Sequence, residues 1–347
     1  MTPDAPPPPL RLAIDYAALT SNWRVLDRLS GKARAGAAIK ADGYGLGARG
    51  VTAALAGAGC RDFFVAYSAE AAAVADLIDP AQISVLHGPQ SLQDAAWIAA
   101  QGFRPVINSL AQAALWQAVG GGACDVMVDT GINRLGLPAA ELSDPLIGQL
   151  TVSTLMSHLA SADQDSALNA VQLGRWQQAC AQVSHRESSL ANSAGIMLGP
   201  DYHGDLTRPG LALYGGIERA ELAECIRQVV VPQAAIMQIR QIAAGETVGY
   251  SATFTAPHAM RVGVVAIGYA DGYLRAWSGK GQMHHGAAVL PVLGRVSMDM
   301  TVIDLSAAPS LCEGDWVDID YALPEASAKT GLAQYELLTG LGSRFAR

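Results

Sequence analysis

The chain has 347 residues, of which 50% are hydrophobic and only 16% are charged. This length and apolar content provide a large core and room for two domains, so intrinsic disorder, collagen-like repeats and coiled coils are excluded. The formal net charge of −8 and the lack of any run of Lys or Arg would repel phosphate backbones. We therefore expect a compact α/β enzyme that does not bind nucleic acid.

The start of the chain lacks basic residues and has prolines at positions 6–9, which is typical of an extended tail rather than of a signal peptide. We predict a flexible proline-rich tail over residues 1–10. No apolar stretch reaches the roughly 18 residues that cross a bilayer, and the cysteines and histidines lack the spacing of metal ligands or of a disulfide framework. These features predict a cytoplasmic protein without a membrane segment or a metal.

Short apolar runs alternate with longer Ala-rich amphipathic stretches from residue 33 to about residue 224. This pattern is typical of repeated βα units on a parallel sheet. The candidate strands are 35–40, 62–66, 83–86, 104–107, 125–128, 150–156, 189–191 and 211–213, and segments such as 68–77 and 90–100 have the length of helices. Eight units predict a closed (β/α)8 TIM-like barrel over residues 11–226, with functional groups at the C-terminal ends of its strands.

The pattern changes after residue 227, where β-rich segments separated by glycine-containing turns replace the alternation. These segments are 229–242, 261–267, 287–295, 300–305 and 315–319. They predict a mostly antiparallel β domain over residues 227–347.

Lys40 ends the first apolar run of the predicted barrel and is followed by a turn of small residues. A partly desolvated lysine at a barrel mouth loses some preference for its charged form and can form a Schiff base with a carbonyl compound. A surface lysine explains this segment alone equally well.

The segment 45–50 after Lys40 also has the spacing GxGxxG, which is the signature of a dinucleotide site and would suit an NAD-dependent dehydrogenase. Such a site also needs an acidic residue at the end of the next strand. That strand is followed by Tyr67 and Ser68, and Glu70 is predicted to lie inside a helix. A chance match in a glycine-rich chain is the competing explanation.

Polar residues also follow several other predicted strands. Arg134 could hold a carboxylate with its planar fork, and Arg208 lies beside Pro209 and Gly210, where backbone N–H groups can approach a phosphate. His158 and the Asn192-Ser193 pair end two further runs. Singly, each of these residues is a weak indication of function.

Together these segments resemble the alanine racemase family, whose members are pyridoxal-phosphate enzymes with a barrel and a C-terminal β domain. The resembling motifs occur in the family's order at 37–45, 133–136, 156–158, 191–194, 208–210, 248–254, 267–273, 295–299 and 335–338. The resemblance covers nearly the whole chain. It implies that the chain interconverts L- and D-alanine by two-base proton transfer on the substrate joined to pyridoxal 5'-phosphate.

The resemblance implies that Lys40 holds the cofactor and then acts as a base on one face of the substrate α-carbon. Tyr250 would act on the opposite face, because a pair of groups on opposite faces inverts the centre without moving the amino acid. The phenolate of Tyr250 needs a nearby donor, since an unperturbed tyrosine has a pKa of about 10. His158, linked to Arg208, is implied as that donor.

Arg208 matches the arginine that the family sets against the pyridine nitrogen, where most pyridoxal enzymes have a carboxylate. A guanidinium about 3 Å from a protonated nitrogen costs about 5 kcal/mol at an effective dielectric constant near 20, or about four pKa units. The nitrogen would therefore stay unprotonated, and the weakened electron sink would favour rapid reprotonation over transamination.

The resemblance also implies which residues bind the phosphate, the substrate and a second subunit. The implied phosphate ligands are Tyr44, Ser193, Tyr335 and the backbone of Gly210 and Leu211, and the implied substrate contacts are Arg134, Tyr269 and Met298. In the family, the second-domain residues Tyr250, Tyr269 and Met298 reach the lysine of the other subunit. The resemblance therefore implies a homodimer with shared active sites.

One position departs from the family pattern. Many members carry a carbamylated lysine seven residues before the substrate arginine, and Met127 stands at that position here. A thioether cannot accept the charge-assisted hydrogen bonds that such a group accepts. How Arg134 is aimed therefore stays open, and a racemase of broader amino-acid specificity remains an alternative.

Two further questions stay open at this level. A non-catalytic pyridoxal-phosphate carrier would share the barrel and the lysine but would lack the β domain. The sequence also does not decide between supply of D-alanine as a peptidoglycan precursor and alanine catabolism.

Overall fold

The computed structural model describes residues 7–346. The strands are β1 (Leu10–Ile14), β2 (Arg34–Ala35), β3 (Ala37–Ala38), β4 (Phe63–Val65), β5 (Ile83–Val85), β6 (Arg104–Ile107), β7 (Cys124–Met127), β8 (Val152–Met156), β9 (Glu187–Ser189), β10 (Leu206–Thr207), β11 (Val230–Ile242), β12 (Thr247–Val248), β13 (Phe254–Thr255), β14 (Met260–Val265), β15 (Gln282–His285), β16 (Ala288–Leu293), β17 (Thr301–Asp304) and β18 (Trp316–Ile319). The helices are α1 (Tyr16–Leu29), α2 (Ala48–Ala58), α3 (Ser68–Ala72), α4 (Leu92–Gln101), α5 (Leu110–Ala118), α6 (Pro145–Gly148), α7 (Ala167–Gln182), α8 (Leu323–Thr330) and α9 (Gln334–Thr339).

The chain divides into two units, of which the first spans residues 16–227 and is an eight-stranded parallel barrel. Strands β3 to β9 are hydrogen-bonded neighbours in chain order, and β2 pairs in parallel with β10. Since β2 and β3 are two parts of one strand interrupted at Gly36, β10 closes the barrel between β2 and β9. Hydrogen bonds from Gly36 N to Thr207 O (2.9 Å) and from Arg208 N to Ala191 O (2.8 Å) complete the closure. The predicted barrel is confirmed.

The eighth predicted strand, 211–213, is wrong. Leu206–Thr207 supplies the closing strand, and Leu211–Tyr214 forms a 3-10 turn. This turn is fully buried, and a short buried apolar run has the same sequence pattern in a strand as in a turn. The N–H groups of Gly210 and Ala212 donate to Ser193 Oγ (2.9 and 3.2 Å), so these groups are not available for a strand ladder. The other seven predicted strands overlap observed ones.

The second unit is an antiparallel β structure built around the long strand β11. Its main sheet has the order β1-β11-β14-β17-β16-β15-β18, and an additional pairing of β11 with β18 closes this sheet on itself. The β11–β14 pairing has a register irregularity between Ile236 and Gln238, and β18 pairs with β11 just before it, at residues 233–235. The five β-rich segments predicted from the sequence overlap β11, β14, β16, β17 and β18, whereas β12, β13 and β15 are not predicted.

The N-terminal boundary differs from the predicted one. Strand β1 pairs antiparallel with β11, from Leu10 opposite Ala234 to Ile14 opposite Val230, and therefore belongs to the β unit rather than to the barrel. Leu10, assigned to the flexible tail, is buried. The rest of the predicted tail falls mostly on residues 1–6, which lie outside the described residues. At the other boundary the barrel unit ends at residue 227, one residue beyond the predicted end.

Candidate active site

Lys40 follows the end of β3 and begins a left-handed turn, Lys40–Tyr44. Within this turn Ala41, Asp42 and Tyr44 have φ between +53° and +55°. Left-handed backbone costs about 1–2 kcal/mol for each residue that is not glycine. Such strain persists only where surrounding contacts hold it, and it is concentrated at functional sites.

Contacts on the C-terminal side hold this turn in place. The carbonyl oxygen of Asp42 accepts a hydrogen bond from Gly47 N (2.8 Å), and its Oδ1 accepts one from Ala48 N (2.8 Å). Gly43, with φ of +64°, donates to Ile39 O (2.9 Å). The glycine-rich segment 45–50 therefore joins the turn to α2.

The half-buried Lys40 side chain lies in a positively charged environment. Burial lowers the pKa of Lys40, the positive charges of Arg134 and Arg208 lower it further, and the negative charge of Glu70 opposes this change. A lower pKa increases the fraction of neutral amine at neutral pH. The neutral amine is the form that attacks a carbonyl carbon.

Arg208 follows β10 and is a buried cation. Its guanidinium donates to Ser189 Oγ and to the carbonyl oxygen of Ser157. Among residues 7–346 no carboxylate lies within ion-pair distance of it. Burial lowers the pKa of Arg208 to about 10, and the buried carboxylate of Asp125 acts in the opposite direction. Burying a guanidinium without an ion-pair partner is energetically unfavourable. An arrangement of this kind is typical of a group that binds a ligand.

His158 follows β8 and carries no charge at neutral pH. Burial is the main cause that lowers its pKa to about 3, and the positive charges of Arg208, Arg134 and Lys40 add to it. Within the described residues the His158 ring makes no hydrogen bond to Arg208, whose donors go to Ser189, Ser157 and Leu190. Among residues 7–346 the two side chains are therefore not joined by a hydrogen bond, and the positive charge of Arg208 instead helps to lower the pKa of His158.

The backbone around His158 is held by Gln172, a residue that sequence reasoning did not select. Its Nε2 donates to His158 O (3.0 Å) and to Thr130 Oγ1 (3.1 Å), and its Oε1 accepts from Ala160 N (2.8 Å). Gln172 and Asn169 are both buried on α7 and lie three residues apart. Polar residues at helical spacing on the buried face of a predicted helix are the signal that could have indicated it.

Four residues predicted to bind phosphate are brought together beside the closing strand. Ser193 Oγ accepts from Gly210 N, and the hydroxyl of Tyr44 lies so close to Gly210 that a Cβ there would approach it to 2.3 Å. Leu211 follows directly and is buried. The Tyr44 ring stacks on Tyr214 with ring centroids 4.6 Å apart. Burial raises the pKa of Tyr44, so its hydroxyl stays neutral.

Arg134 lies on an exposed loop whose backbone is held by Asp129. The two Asp129 oxygens accept from Asn133 N and Arg134 N, each at 3.2 Å, and Asn133 has φ of +54°. In the part of the chain that the structure describes, the Arg134 guanidinium makes no hydrogen bond or ion pair. Met127 is buried beneath the loop, where a Cβ on Gly136 would lie 3.1 Å from its Cγ.

Two of the remaining candidates, Tyr269 and Met298, are brought together within the β unit. Tyr269 N donates to Ser297 O (3.0 Å) and Ala270 N donates to Met298 O (3.0 Å). A Cβ on Gly268 would lie 2.3 Å from Met298 O, so only glycine permits this close approach. The turn is tied further by Asp271, whose carboxylate pairs with Arg344 (2.7 Å).

The other candidates of this unit are exposed in the single chain. Tyr250, Met298 and Tyr335 are 63%, 53% and 39% exposed, respectively. Tyr250 begins a short turn in which Ser251 and Ala252 have φ of +61° and +47°. Arg295 donates to Ser251 Oγ (3.1 Å) and connects this turn to the segment that precedes Met298.

Comparison with known proteins assigns the chain to a family. Residues 14–218 match the family model described as alanine racemase, N-terminal domain, and residues 229–347 match alanine racemase, C-terminal domain. The chain belongs to the alanine racemase family. The dehydrogenase interpretation is therefore wrong, and so is the interpretation as a carrier that lacks the β domain.

Several alanine racemases resemble this chain over nearly its full length. The biosynthetic alanine racemase of Agrobacterium fabrum is 41% identical, with 98% of this chain and 93% of that protein covered. The catabolic alanine racemase of the same organism is 40% identical, with 97% and 91% covered. The crystal structure of alanine racemase from Bartonella henselae with covalently bound pyridoxal phosphate has a TM-score of 0.89 at 33% identity and covers 99% of both chains.

Two further findings concern the described residues 7–346. No helix there has both the length and the apolar character needed to cross a bilayer. No group of three or more His, Cys, Asp or Glu side chains in that range is placed to hold a metal ion.

Proposed function

We propose that this chain interconverts L- and D-alanine with pyridoxal phosphate as its cofactor. The observation that carries the proposal is the arrangement around Lys40 at the C-terminal ends of the barrel strands. Lys40, whose own pKa is lowered, and Arg208, a buried cation with no ion-pair partner among residues 7–346, both lower the pKa of the same histidine, His158. Membership of the alanine racemase family supports the same activity.

The residues present fit pyridoxal phosphate. The neutral amine of Lys40 suits its aldehyde, and the hydroxyls of Tyr44 and Ser193 beside Gly210 suit a phosphate that is held by neutral donors. Arg208 offers a donor without a competing carboxylate, which suits a pyridine nitrogen that stays unprotonated. When bound, pyridoxal phosphate withdraws electrons from the substrate and acidifies its α C–H bond.

The chain's own residues then move the proton. We assign Lys40 as the proton-transfer group on one face of the α-carbon and Tyr250 as the group on the other face. Arg134 holds the substrate carboxylate with two parallel N–H donors. We assign neutral His158 as the hydrogen-bond donor that stabilises the Tyr250 phenolate, and not as a competing acid.

We also propose that the active protein is a homodimer in which Tyr250 of one subunit serves Lys40 of the other. The exposed apolar side chains of the β unit support this assembly, because Tyr250, Met298, Met300 and Met237 leave large apolar surface uncovered in the single chain. The five free cysteines support a reducing, cytoplasmic location. The relatives named biosynthetic and catabolic are almost equally similar, so this likeness does not distinguish the two roles.

Mixing two inactive variants tests the shared site and the activity together. We expect Lys40→Ala and Tyr250→Ala homodimers to be inactive, and their equimolar mixture to regain about a quarter of the wild-type activity after subunit exchange. This value follows because about half of the dimers are mixed, and each mixed dimer has one complete site out of its two. Racemisation is measured by following the optical rotation of alanine.

The control mixes Lys40→Ala with the Lys40→Ala/Tyr250→Ala double variant, which contains no complete site in any combination. Recovery in that mixture would show contamination. If the first mixture stays inactive although mass spectrometry proves subunit exchange, Lys40 and Tyr250 belong to the same chain's site and the shared-site proposal is wrong.

Removing the guanidinium of Arg134 should weaken substrate binding selectively. A charge-assisted contact to a carboxylate contributes about 1.5–3 kcal/mol, so Arg134→Ala should raise KM for alanine about 10- to 150-fold. The Arg134 guanidinium has no protein partner in the described residues, so its removal should not break a hydrogen bond or an ion pair within the chain. Steady-state kinetics of both enantiomers provide the measurement.

Arg49→Ala is the matched control, because Arg49 is exposed and, within the described part of the chain, its guanidinium pairs with the Asp76 carboxylate and the carbonyl oxygen of Ala73. Its KM should equal that of the unchanged protein. An unchanged KM in Arg134→Ala would remove Arg134 from the substrate site.

A further inference from the structure

Glu70 connects the ends of two neighbouring barrel strands through its carboxylate. Its Oε1 accepts a hydrogen bond from Ala41 N (2.7 Å), and its Oε2 accepts one from Ala66 N (2.7 Å). Ala41 directly follows Lys40, and Ala66 directly follows β4, which pairs with β3. One side chain on α3 thus ties the backbone that carries Lys40 to the adjacent strand.

The contact to Ala41 is not explained by local helix capping. Glu70 lies in the first turn of α3, and its bond to Ala66, four residues earlier, is the kind of reach-back contact that begins many helices. The bond to Ala41 joins residues that are 29 positions apart. Glu70 forms no ion pair among residues 7–346, so both oxygens serve backbone N–H groups.

The turn that receives this contact is strained and needs support on both sides. Asp42 holds its C-terminal side through Gly47 N and Ala48 N. At the start of the turn, where the chain leaves β3 and φ becomes positive, Glu70 accepts from Ala41 N. A carboxylate forms the stronger, charge-assisted type of hydrogen bond at this point.

We propose that Glu70 is a positioning residue that holds the left-handed turn after Lys40 and thereby fixes the direction of the Lys40 amine. This inference rests on the proposed function of Lys40. If Glu70 acted only through its charge, removing that charge would lower the pKa of Lys40 further and favour the neutral amine, because the negative charge of Glu70 opposes the fall in that pKa. The two roles therefore predict opposite results when the charge is removed.

The test compares Glu70→Gln, which keeps the shape of the side chain, with Glu70→Asp, which keeps the charge but is one methylene shorter. Asp94→Asn is the matched control. Asp94 lies in the first turn of the next barrel helix and accepts from Gln90 N (3.0 Å) and from Ser68 Oγ (2.7 Å) at the start of α3, and among the described residues it has no hydrogen bond to the turn after Lys40. Each protein is studied in its cofactor-loaded form. The measurements are amide hydrogen exchange of residues 39–46 and the steady-state kinetics of racemisation.

For Glu70→Gln we expect faster exchange in residues 39–46 and a kcat lowered about 10- to 100-fold, because a misplacement near 1 Å has effects of that size. KM for alanine should change less than about threefold, since Arg134 is untouched. Glu70→Asp should lie between Glu70→Gln and the unchanged protein in both measurements. Asp94→Asn should match the unchanged protein.

Three results would overturn the proposal: an unchanged kcat, a lower kcat with unchanged exchange in residues 39–46, or a higher kcat, which would indicate the electrostatic role. If Glu70→Gln does not fold, Glu70→Asp decides alone by whether exchange and kcat change together. Hydrogen exchange also separates this inference from the proposed function. A protein without racemase activity would refute the function, whereas the exchange rates would still report whether Glu70 holds the turn.

Discussion

Replacement of Lys40 by alanine is expected to abolish racemisation. The variant loses the amine that holds the cofactor and one of the two proton-transfer groups, so the loss should exceed the factor of about 10²–10⁴ that a single such group contributes. In the unchanged protein, borohydride reduction should attach pyridoxal phosphate irreversibly to Lys40. Peptide mass spectrometry locates the modified residue, and kinetics measure the loss.

Lys32→Ala is the matched control, because Lys32 is exposed on the same barrel unit. This variant should keep both the activity and the borohydride-trapped cofactor. Recovery of the cofactor on Lys32 or Lys280, or activity in Lys40→Ala, would contradict the assignment of Lys40.

Replacement of Tyr250 by phenylalanine should lower kcat about 10²- to 10⁴-fold, which is the contribution of one general acid–base group. The ring remains, so packing and cofactor binding should stay intact. The two faces of the α-carbon should then behave differently in D2O. The enantiomer whose proton faces Lys40 should still exchange its α-hydrogen, whereas the other enantiomer should exchange far more slowly, as followed by proton NMR.

Tyr16→Phe is the control for this experiment, because Tyr16 is a partly exposed tyrosine at the start of α1. It should racemise and exchange both enantiomers normally. Equal loss of exchange for both enantiomers in Tyr250→Phe would indicate a structural effect, and undiminished racemisation would exclude Tyr250 as a base.

The barrel could be predicted because βα alternation is a local, repeated signal in the sequence. Its last strand could not be predicted in this way. Leu206–Thr207 is only two residues long, and it is a strand because β2 lies beside it. The predicted boundary places residues 11–14 in the barrel for the same reason, because β11, the partner of β1, begins more than 200 residues later in the chain.

The candidate site likewise combines residues that the sequence predicts with contacts that it does not predict. Lys40, His158 and Ser193 each follow an apolar run, so the sequence alone predicts their positions at strand ends. Arg208 follows β10, a strand that the sequence does not predict. Gln172 and the contact of Glu70 with the turn after Lys40 were not visible. Both side chains act on backbone groups, at separations of 14 and 29 residues, respectively, and no local pattern records such contacts.

The sequence by itself determined the two-domain organisation and the chemical types at the ends of several barrel strands, because these depend on residue identity and on local periodicity. Its ordered motifs also carried the resemblance to the family. Only the tertiary structure decided the left-handed backbone after Lys40, the lowered pKa of His158 and the lack of a partner for the Arg134 guanidinium within residues 7–346. These properties depend on burial and on distances between charges far apart in the chain, so they exist only once the barrel has closed.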